Sequence, residues 1–148
     1  MRDRGIQYTL GGMQNSTLKR RSGLAALMMV AAAVLAACGG TNVINTVDAA
    51  AFQAQVETPG VTVVDVRTPE EFAAGHIVGA INIDIEGDSF YDGIDALDKT
   101  KTYAVYCRTD RRSGIAATEM ADAGFTSIYN LDGGIVDWAN AGYELVAG

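Results

Sequence analysis

The sequence contains few of the residues that usually bind metals or form disulfides. Its 148 residues include one histidine, His76, and two cysteines, Cys38 and Cys107. No group of Cys, His and carboxylate residues has the spacing of metal ligands. We therefore predict that the protein uses no metal and no other cofactor.

The sequence also lacks an apolar run that is long enough to form a membrane-spanning helix. The uncharged, apolar run at residues 22–37 is shorter than the ~20 residues that a spanning helix needs. It follows Lys19, Arg20 and Arg21 and ends in small residues. A basic segment, a short apolar segment and small residues before a cleavage site are typical of a secretory signal. Residues 1–37 are predicted to be a signal peptide, and the alternatives are a buried helix or a short anchor.

The end of this apolar run resembles the lipobox of bacterial lipoproteins. Residues 35–38 read Leu-Ala-Ala-Cys, and small and polar residues follow. The resemblance implies that Cys38 is lipidated on its sulfur, becomes the new N-terminus and anchors the protein to a membrane. The protein is then exported and faces the periplasm or the cell exterior, with residues 38–47 as a tether. Either Met1 or Met13 could be the start.

Positive charge is scarce in the mature part of the chain. Five of the 11 basic residues but only one of the 18 acidic residues precede Cys38, which leaves six basic residues, 17 acidic residues and a net charge of about −11. This charge argues against nucleic acid as a partner. Half of the remaining positive charges, Arg108, Arg111 and Arg112, lie within five residues. Such a concentration indicates a site.

The cysteine count predicts a free thiol. Two cysteines in an exported protein would ordinarily suggest a disulfide. If Cys38 is lipidated, however, Cys107 has no partner left in the chain. Cys107 is therefore a candidate for reactive chemistry.

Short apolar runs alternate with helical patterns in the remainder of the chain. Asp48 is a predicted N-cap, and Thr68, Pro69 and Glu71 form a predicted capping box. The predicted helices cover residues 49–56, 69–75, 90–97, 113–123 and 135–141. The predicted strands cover residues 61–66, 80–83, 102–106 and 127–131. This alternation predicts an α/β fold with a mainly parallel sheet.

Cys107 lies where chemistry is expected in such a fold. Ligands of open parallel sheets bind outside the carboxyl ends of the strands, and Cys107 follows the predicted strand 102–106. The next residues lead into a helix, whose first N–H groups lack partners and carry partial positive charge. With three guanidinium groups nearby, this anion site predicts a thiolate that needs no adjacent base. The alternative is that Cys107 is simply a buried residue at a strand end.

Three ordered segments resemble the rhodanese-like family. They are residues 65–67 with 71–83 (Asp-Val-Arg and Glu-Phe-Ala-Ala-Gly-His-Ile-Val-Gly-Ala-Ile-Asn-Ile), 106–113 (Tyr-Cys-Arg-Thr-Asp-Arg-Arg-Ser), and 132–138 (Asp-Gly-Gly-Ile-Val-Asp-Trp). The resemblance covers residues 48–148 and implies a three-layer fold with a five-stranded, mainly parallel sheet flanked by helices. It implies a sulfurtransferase in which Cys107 takes sulfane sulfur from a small anionic donor such as thiosulfate. Cys107 would then carry a persulfide and pass the sulfur to cyanide or a thiol.

The resemblance also implies roles for the loop after Cys107. Backbone N–H groups would surround the outer sulfur, Arg112 matches the loop-closing arginine, and Arg108 and Arg111 are expected to attract the donor. The predicted substrate-binding loop consists of Arg108, Thr109, Asp110, Arg111, Arg112 and Ser113. Asp110 stands where many members have glycine. Aspartate tolerates a left-handed backbone, but its charge is unfavourable beside an anion.

Residues outside the loop are expected to support it. Asp65 with Arg67, or Arg67 with Glu71, is expected to form an ion pair near the site. The family match places His76 in a turn, where a hydrogen-bonded structural role is expected.

Two alternative functions remain at this stage. One is a phosphatase or arsenate reductase of the same fold. Its relatives have five residues between Cys and Arg, whereas four separate Cys107 from Arg112. The other is a rhodanese-like module that carries a persulfide or binds a partner without turnover.

Overall fold

Strands and helices alternate along the part of the chain that the computed structural model describes, residues 43–148. The strands are β1 (Ile44–Val47), β2 (Thr62–Asp65), β3 (Ile81–Asn82), β4 (Thr102–Tyr106) and β5 (Ser127–Leu131). The helices are α1 (Ala49–Val56), α2 (Pro69–Ala74), α3 (Phe90–Asp95), α4 (Arg111–Asp122) and α5 (Gly134–Asn140). The predicted signal peptide (residues 1–37) and the predicted lipid site Cys38 lie among residues 1–42, outside the described residues.

The five strands form one parallel sheet in the order β1-β5-β4-β2-β3. The carboxyl ends of all strands therefore lie along one edge of the sheet. β4 is the central strand, with Val105 opposite Val64 of β2 on one side and Asn130 of β5 on the other. The predicted α/β fold with a five-stranded parallel sheet is confirmed.

Two hydrophobic clusters cover the sheet. One contains residues of α3 and α4 and includes Val105 and Cys107. The other contains residues of α1 and α5 and includes Ala104 and Tyr106. Alternate residues of β4 thus point to opposite faces, as expected for a strand that is buried on both sides.

The prediction that residues 38–47 form a tether is wrong at its carboxyl end. Ile44–Val47 form β1, which pairs in parallel with β5 from Ile44 opposite Ile128 to Val47 opposite Leu131. Asn and Thr interrupt the apolar residues of this segment, so its hydrophobic pattern is weak, and pairing with β5 determines its conformation. The folded domain therefore begins before residue 48.

The predicted helix starts at Asp48 and Thr68 are confirmed. Asp48 Oδ1 accepts a hydrogen bond of 2.8 Å from the Ala51 N–H. Thr68 Oγ1 accepts from the Glu71 N–H at 3.3 Å, and Glu71 Oε2 accepts from the Thr68 N–H at 3.2 Å. This reciprocal pair fixes the carboxylate of Glu71 at the carboxyl edge of the sheet.

α4 begins two residues earlier than predicted. The predicted start was Ser113, whereas Arg111 and Arg112 already belong to the first helical turn. The irregular part of the loop is therefore short, comprising Arg108, Thr109 and Asp110. The helix backbone consequently fixes the direction of the Arg112 side chain.

None of the helices within residues 43–148 has the length and hydrophobicity needed to cross a bilayer. Over the same residues, no group of three or more His, Cys, Asp and Glu side chains is arranged to hold a metal ion.

Candidate active site

Cys107 lies directly after β4, at the carboxyl edge of the sheet. Its side chain is buried, with 1% exposure, and its thiol is free. The Cys107 carbonyl accepts a hydrogen bond of 2.9 Å from the Ile135 N–H, and the Arg108 carbonyl accepts one of 3.3 Å from the Val136 N–H. Two N–H groups at the start of α5 therefore hold the beginning of the loop.

Asp110 makes the turn from the loop into α4. Its φ of 79° is the one positive value at a non-glycine residue within residues 43–148, which confirms that aspartate adopts the left-handed backbone here. Its carbonyl accepts hydrogen bonds from the Gly114 N–H at 2.8 Å and the buried Ser113 Oγ at 3.0 Å. Its side chain makes no capping hydrogen bond. The first N–H groups of α4 are thus left without a side-chain acceptor and are available to an anion.

Arg112 is held by a carboxylate of α2. Arg112 Nη1 and Nη2 donate to Glu71 Oε2 at 2.7 Å and Oε1 at 2.9 Å, a bidentate pair. Nη1 also donates to Glu86 Oε2 at 3.3 Å. The hydrogen bond from Arg112 lowers the pKa of Glu71. The same hydrogen bond raises the pKa of Arg112, and attraction from Glu71, Glu86 and Cys107 raises it further. Arg112 therefore closes the loop against α2 and lies within electrostatic reach of the sulfur.

Arg108 and Arg111 differ from Arg112 in their surroundings. Both are exposed, and neither forms an ion pair with another residue of the described range 43–148. The structure therefore divides the three arginines into one that braces the loop and two that remain available to an incoming anion.

The predicted ion pair between Asp65 and Arg67 is confirmed. Arg67 Nε donates to both carboxylate oxygens of Asp65 at 3.0 Å, and Nη2 donates to Oδ2 at 2.6 Å. Burial opposes the charge of Arg67, but the hydrogen bond and attraction from Asp65 outweigh burial and raise the pKa of Arg67. Nη2 also donates to the Gly75 carbonyl at 2.7 Å. The pair thus links the end of β2 to the end of α2, while Glu71 pairs with Arg112.

Tyr106 joins this buried network from the adjacent strand. Its Oη accepts a hydrogen bond of 3.0 Å from the Ile77 N–H, and the Arg67 guanidinium carbon lies 5.7 Å from the centre of its ring. Burial, followed by repulsion from Asp65, raises the pKa of Tyr106 far above its usual range. Tyr106 is therefore a neutral structural residue next to Cys107.

His76 has the structural role that was predicted. Its ring stacks on Phe72 with centroids 3.8 Å apart, and Nδ1 lies 3.0 Å from the Phe72 carbonyl oxygen. Its backbone exchanges two hydrogen bonds of 2.9 Å with Val146.

Two residues of the site were not identified from the sequence. Gly134 has a φ of 63°, and a Cβ there would lie 2.5 Å from the Arg108 carbonyl carbon and oxygen and 2.6 Å from the Cys107 carbonyl oxygen. The paired glycines 133 and 134 were a usable signal for such a close approach. Glu86 is the second missed residue, and nothing in its local sequence separates it from neighbouring acidic residues.

Replacement Glu71→Gln is expected to destabilise the domain by about 1–2 kcal/mol at neutral pH, because charge-assisted hydrogen bonds become neutral ones. The pKa of Glu71 is lowered from its ordinary value of 4.5. The extra stability of the wild type is therefore complete above that value and is lost as the pH falls through the lower pKa of the folded state.

Urea unfolding between pH 3 and pH 7 measures this difference. Glu70→Gln, an exposed neighbour in α2, is the matched control and should change stability little. A wild-type advantage that is as large at pH 3 as at pH 7 would contradict the proposed role of the Glu71 charge.

Known proteins are similar to this chain in sequence. The model of the family described as "Rhodanese-like domain" matches residues 48–141. A thiosulfate sulfurtransferase GlpE of Ectopseudomonas mendocina is 39% identical over 84 residues, which are 57% of this chain and 75% of the relative. A sulfurtransferase of Allochromatium vinosum is 31% identical over 105 residues, which are 70% of this chain and 96% of the relative.

Solved structures agree with the sequence comparisons. The crystal structure of a rhodanese-related protein from Thermoplasma volcanium has a TM-score of 0.63 and 32% sequence identity, and the match covers 70% of this chain and 99% of that one. A rhodanese-like domain protein from Staphylococcus aureus has a TM-score of 0.60 and 27% identity, covering 70% and 98% of the two chains. With a buried thiol at the end of β4 and the family model matching most of the chain, this protein belongs to the rhodanese-like domain family.

Proposed function

We propose that the protein is a sulfurtransferase and that Cys107 carries the transferred sulfur as a persulfide. The observation that supports this most directly is the position of Cys107 between the end of β4 and the N-terminus of α4, which Asp110 leaves without a side-chain cap. Relatives named sulfurtransferase and thiosulfate sulfurtransferase support the same reaction.

The proposed reaction has two displacement steps and no net oxidation. The Cys107 thiolate attacks the outer sulfur of thiosulfate, the bond between the two thiosulfate sulfurs breaks, and sulfite leaves with the electron pair. Cys107 then holds a persulfide anion. In the second step cyanide or a thiolate attacks the outer sulfur, thiocyanate or a new persulfide leaves, and the Cys107 thiolate is regenerated.

The site offers positive potential to the sulfur throughout both steps. The uncapped N–H groups of α4 and the helix dipole favour a negative charge on the thiolate and then on the outer sulfur of the persulfide. Arg112 adds a charge that Glu71 holds in a fixed position. Arg108 and Arg111 are exposed and suited to the first contact with an anionic donor.

The length of the loop supports sulfur transfer over phosphate hydrolysis. Four residues separate Cys107 from Arg112, one fewer than in the phosphatase relatives. The first turn of α4 begins at Arg111, so that three irregular residues remain after Cys107. A loop of this size suits a sulfur atom better than a phosphate group.

The test is the mass of the intact protein after incubation with thiosulfate and removal of excess donor. We expect a gain of one sulfur atom, located on Cys107 by peptide mapping and removed by cyanide with formation of thiocyanate. No gain with thiosulfate or with other sulfane donors would overturn the proposal and favour a partner-binding module without sulfur chemistry.

We further propose that the mature protein is an exported lipoprotein anchored through Cys38. The support is the order of three features along the chain: the basic residues 19–21, then the apolar run 22–37, and Leu-Ala-Ala-Cys at residues 35–38. One acyl chain gives only marginal membrane binding, so lasting attachment would need a second chain or another membrane contact.

Replacement Cys38→Ala is expected to abolish incorporation of a fatty-acid analogue into the protein and to move it out of the membrane fraction. Labelling in cells followed by fractionation measures both effects. Cys107→Ala serves as the matched control and should label like the wild type. Undiminished labelling of the Cys38→Ala protein would refute the lipid site.

A further inference from the structure

The positive charge that the sequence concentrates in the loop is balanced by negative charge in the folded protein. Three carboxylates lie in or against this segment: Asp110 within it, and Glu71 and Glu86 on Arg112. They equal the three arginines in number. The loop therefore has little net charge, although Arg108, Arg111 and Arg112 alone predict a strongly cationic site.

The carboxylates of Glu71 and Glu86 are not equivalent. Glu71 binds both terminal nitrogens of Arg112 and also caps α2, and 29% of its side chain is exposed. Glu86 makes a single contact of 3.3 Å, and 56% of its side chain is exposed. Glu71 alone accepts hydrogen bonds from both terminal nitrogens of Arg112 and closes the loop. Glu86 adds a second negative charge that the loop does not need for its structure.

The backbone nevertheless holds Glu86 in place. The Glu86 N–H donates to Asp84 Oδ1 at 2.9 Å, and the Gly87 N–H donates to the Asp84 carbonyl at 3.1 Å. The preceding residue, Ile85, packs against the core, and its N–H donates to the Val66 carbonyl at 3.3 Å. This turn presents the Glu86 carboxylate to Arg112, the arginine that interacts electrostatically with Cys107.

From these contacts we propose that Glu86 sets the preference of the site for donors of a given charge. The site then favours sulfane-sulfur donors with one negative charge over dianions. Organic thiosulfonates and persulfides belong to the favoured class, and thiosulfate is a dianion. Glu86 repels each negative charge of the donor, and this repulsion grows in proportion to the donor charge. The inference rests on the proposed sulfur transfer.

The test compares two donors that transfer the same kind of sulfur but differ by one charge. Methanethiosulfonate and thiosulfate both give Cys107 their outer sulfur, and methanesulfinate or sulfite leaves with the electron pair. Initial rates with cyanide as acceptor give kcat/KM for each donor with the wild type, Glu86→Gln and Asp88→Asn. Asp88 is the matched control, because it is an exposed acid of the same segment and does not contact Arg112.

Glu86→Gln is expected to raise kcat/KM about two-fold for the monoanion and about four-fold for the dianion. The repulsion energy from Glu86 is twice as large for a dianion, so the corresponding rate factor is the square of that for a monoanion. Asp88→Asn should change both values less. Thermal unfolding of all three proteins checks that the fold is kept.

The possible failures are separable. If neither donor places sulfur on Cys107 of the wild type, the proposed function is wrong. If both donors react but Glu86→Gln behaves like Asp88→Asn, or raises both rates by the same factor, sulfur transfer stands and the role of Glu86 in donor choice is refuted.

Discussion

Replacement Cys107→Ser is expected to lower sulfur transfer from thiosulfate to cyanide by at least about 1000-fold, as loss of a covalent nucleophile does in other enzymes. A serine hydroxyl is not ionised at neutral pH and cannot hold the transferred sulfur as a persulfide. The buried position should also cost about 1–2 kcal/mol of stability, because a hydroxyl is harder to desolvate than a thiol. Thiocyanate formation measures the loss of sulfur transfer, and the intact mass after incubation with thiosulfate shows whether the serine protein holds a sulfur atom.

A second replacement separates loss of chemistry from loss of fold. Cys107→Ala removes the nucleophile without burying a hydroxyl, so its stability should differ from that of the serine protein while its activity is equally absent. Circular dichroism and thermal unfolding confirm that both proteins are folded. Sulfur transfer by either folded protein at more than a few per cent of the wild-type rate would show that Cys107 is not the carrier.

Replacement Gly134→Ala is expected to destabilise the domain by about 2–5 kcal/mol, as the sum of a left-handed backbone penalty and a steric clash. The φ of Gly134 is 63°, and the new Cβ would meet the backbone of Cys107 and Arg108 at 2.5–2.6 Å. The atoms that the new Cβ would meet belong to the backbone, which cannot relieve the clash by changing a rotamer as a flexible side chain can. The start of α5 must therefore move away, which breaks the hydrogen bonds from Ile135 and Val136 to the loop.

Gly114→Ala provides the matched control for this prediction. Gly114 lies in the first half of α4, close to the same loop, and a Cβ there would meet nothing within 4 Å. Alanine in a helix is favoured over glycine by about 0.5–1 kcal/mol, so this protein should be more stable than the wild type. Chemical denaturation compares the two variants, and equal stability of Gly134→Ala and the wild type would contradict the close approach seen here.

Short-range features of this fold could be predicted because neighbouring residues determine them. The caps at Asp48 and Thr68 need only residues within three positions along the chain. β4 is continuous and apolar, and its predicted bounds agree with the structure. At Asp110 the family resemblance pointed to a position where many members have glycine, and aspartate is one of the few residues that tolerate the left-handed backbone found there.

Long-range features could not be predicted in the same way. Glu71 could pair with Arg67 four residues before it, yet it binds Arg112, which is 41 residues away in the sequence. The choice depends on Asp65, which already occupies Arg67. β1 was missed for a related reason, because its weak pattern becomes a strand only beside β5. Cys107 and the arginines of the loop were identified from local sequence, whereas Glu86, Gly134 and the pairing of Glu71 with Arg112 depend on the packing of the strands and helices.

The central position of β4 has a consequence for the time course of motion at the site. Strand β4 has hydrogen-bonded neighbours on both sides, whereas β1 and β3 are edge strands. Amide hydrogens in the middle of a sheet exchange with solvent mainly through global unfolding, while those at its edges exchange through local opening. We therefore expect Cys107 to follow the strand whose amides exchange most slowly in the domain. Local opening of the loop would leave the hydrogen bonds of β4 intact, so we expect the backbone of Cys107 to keep its position when a donor enters.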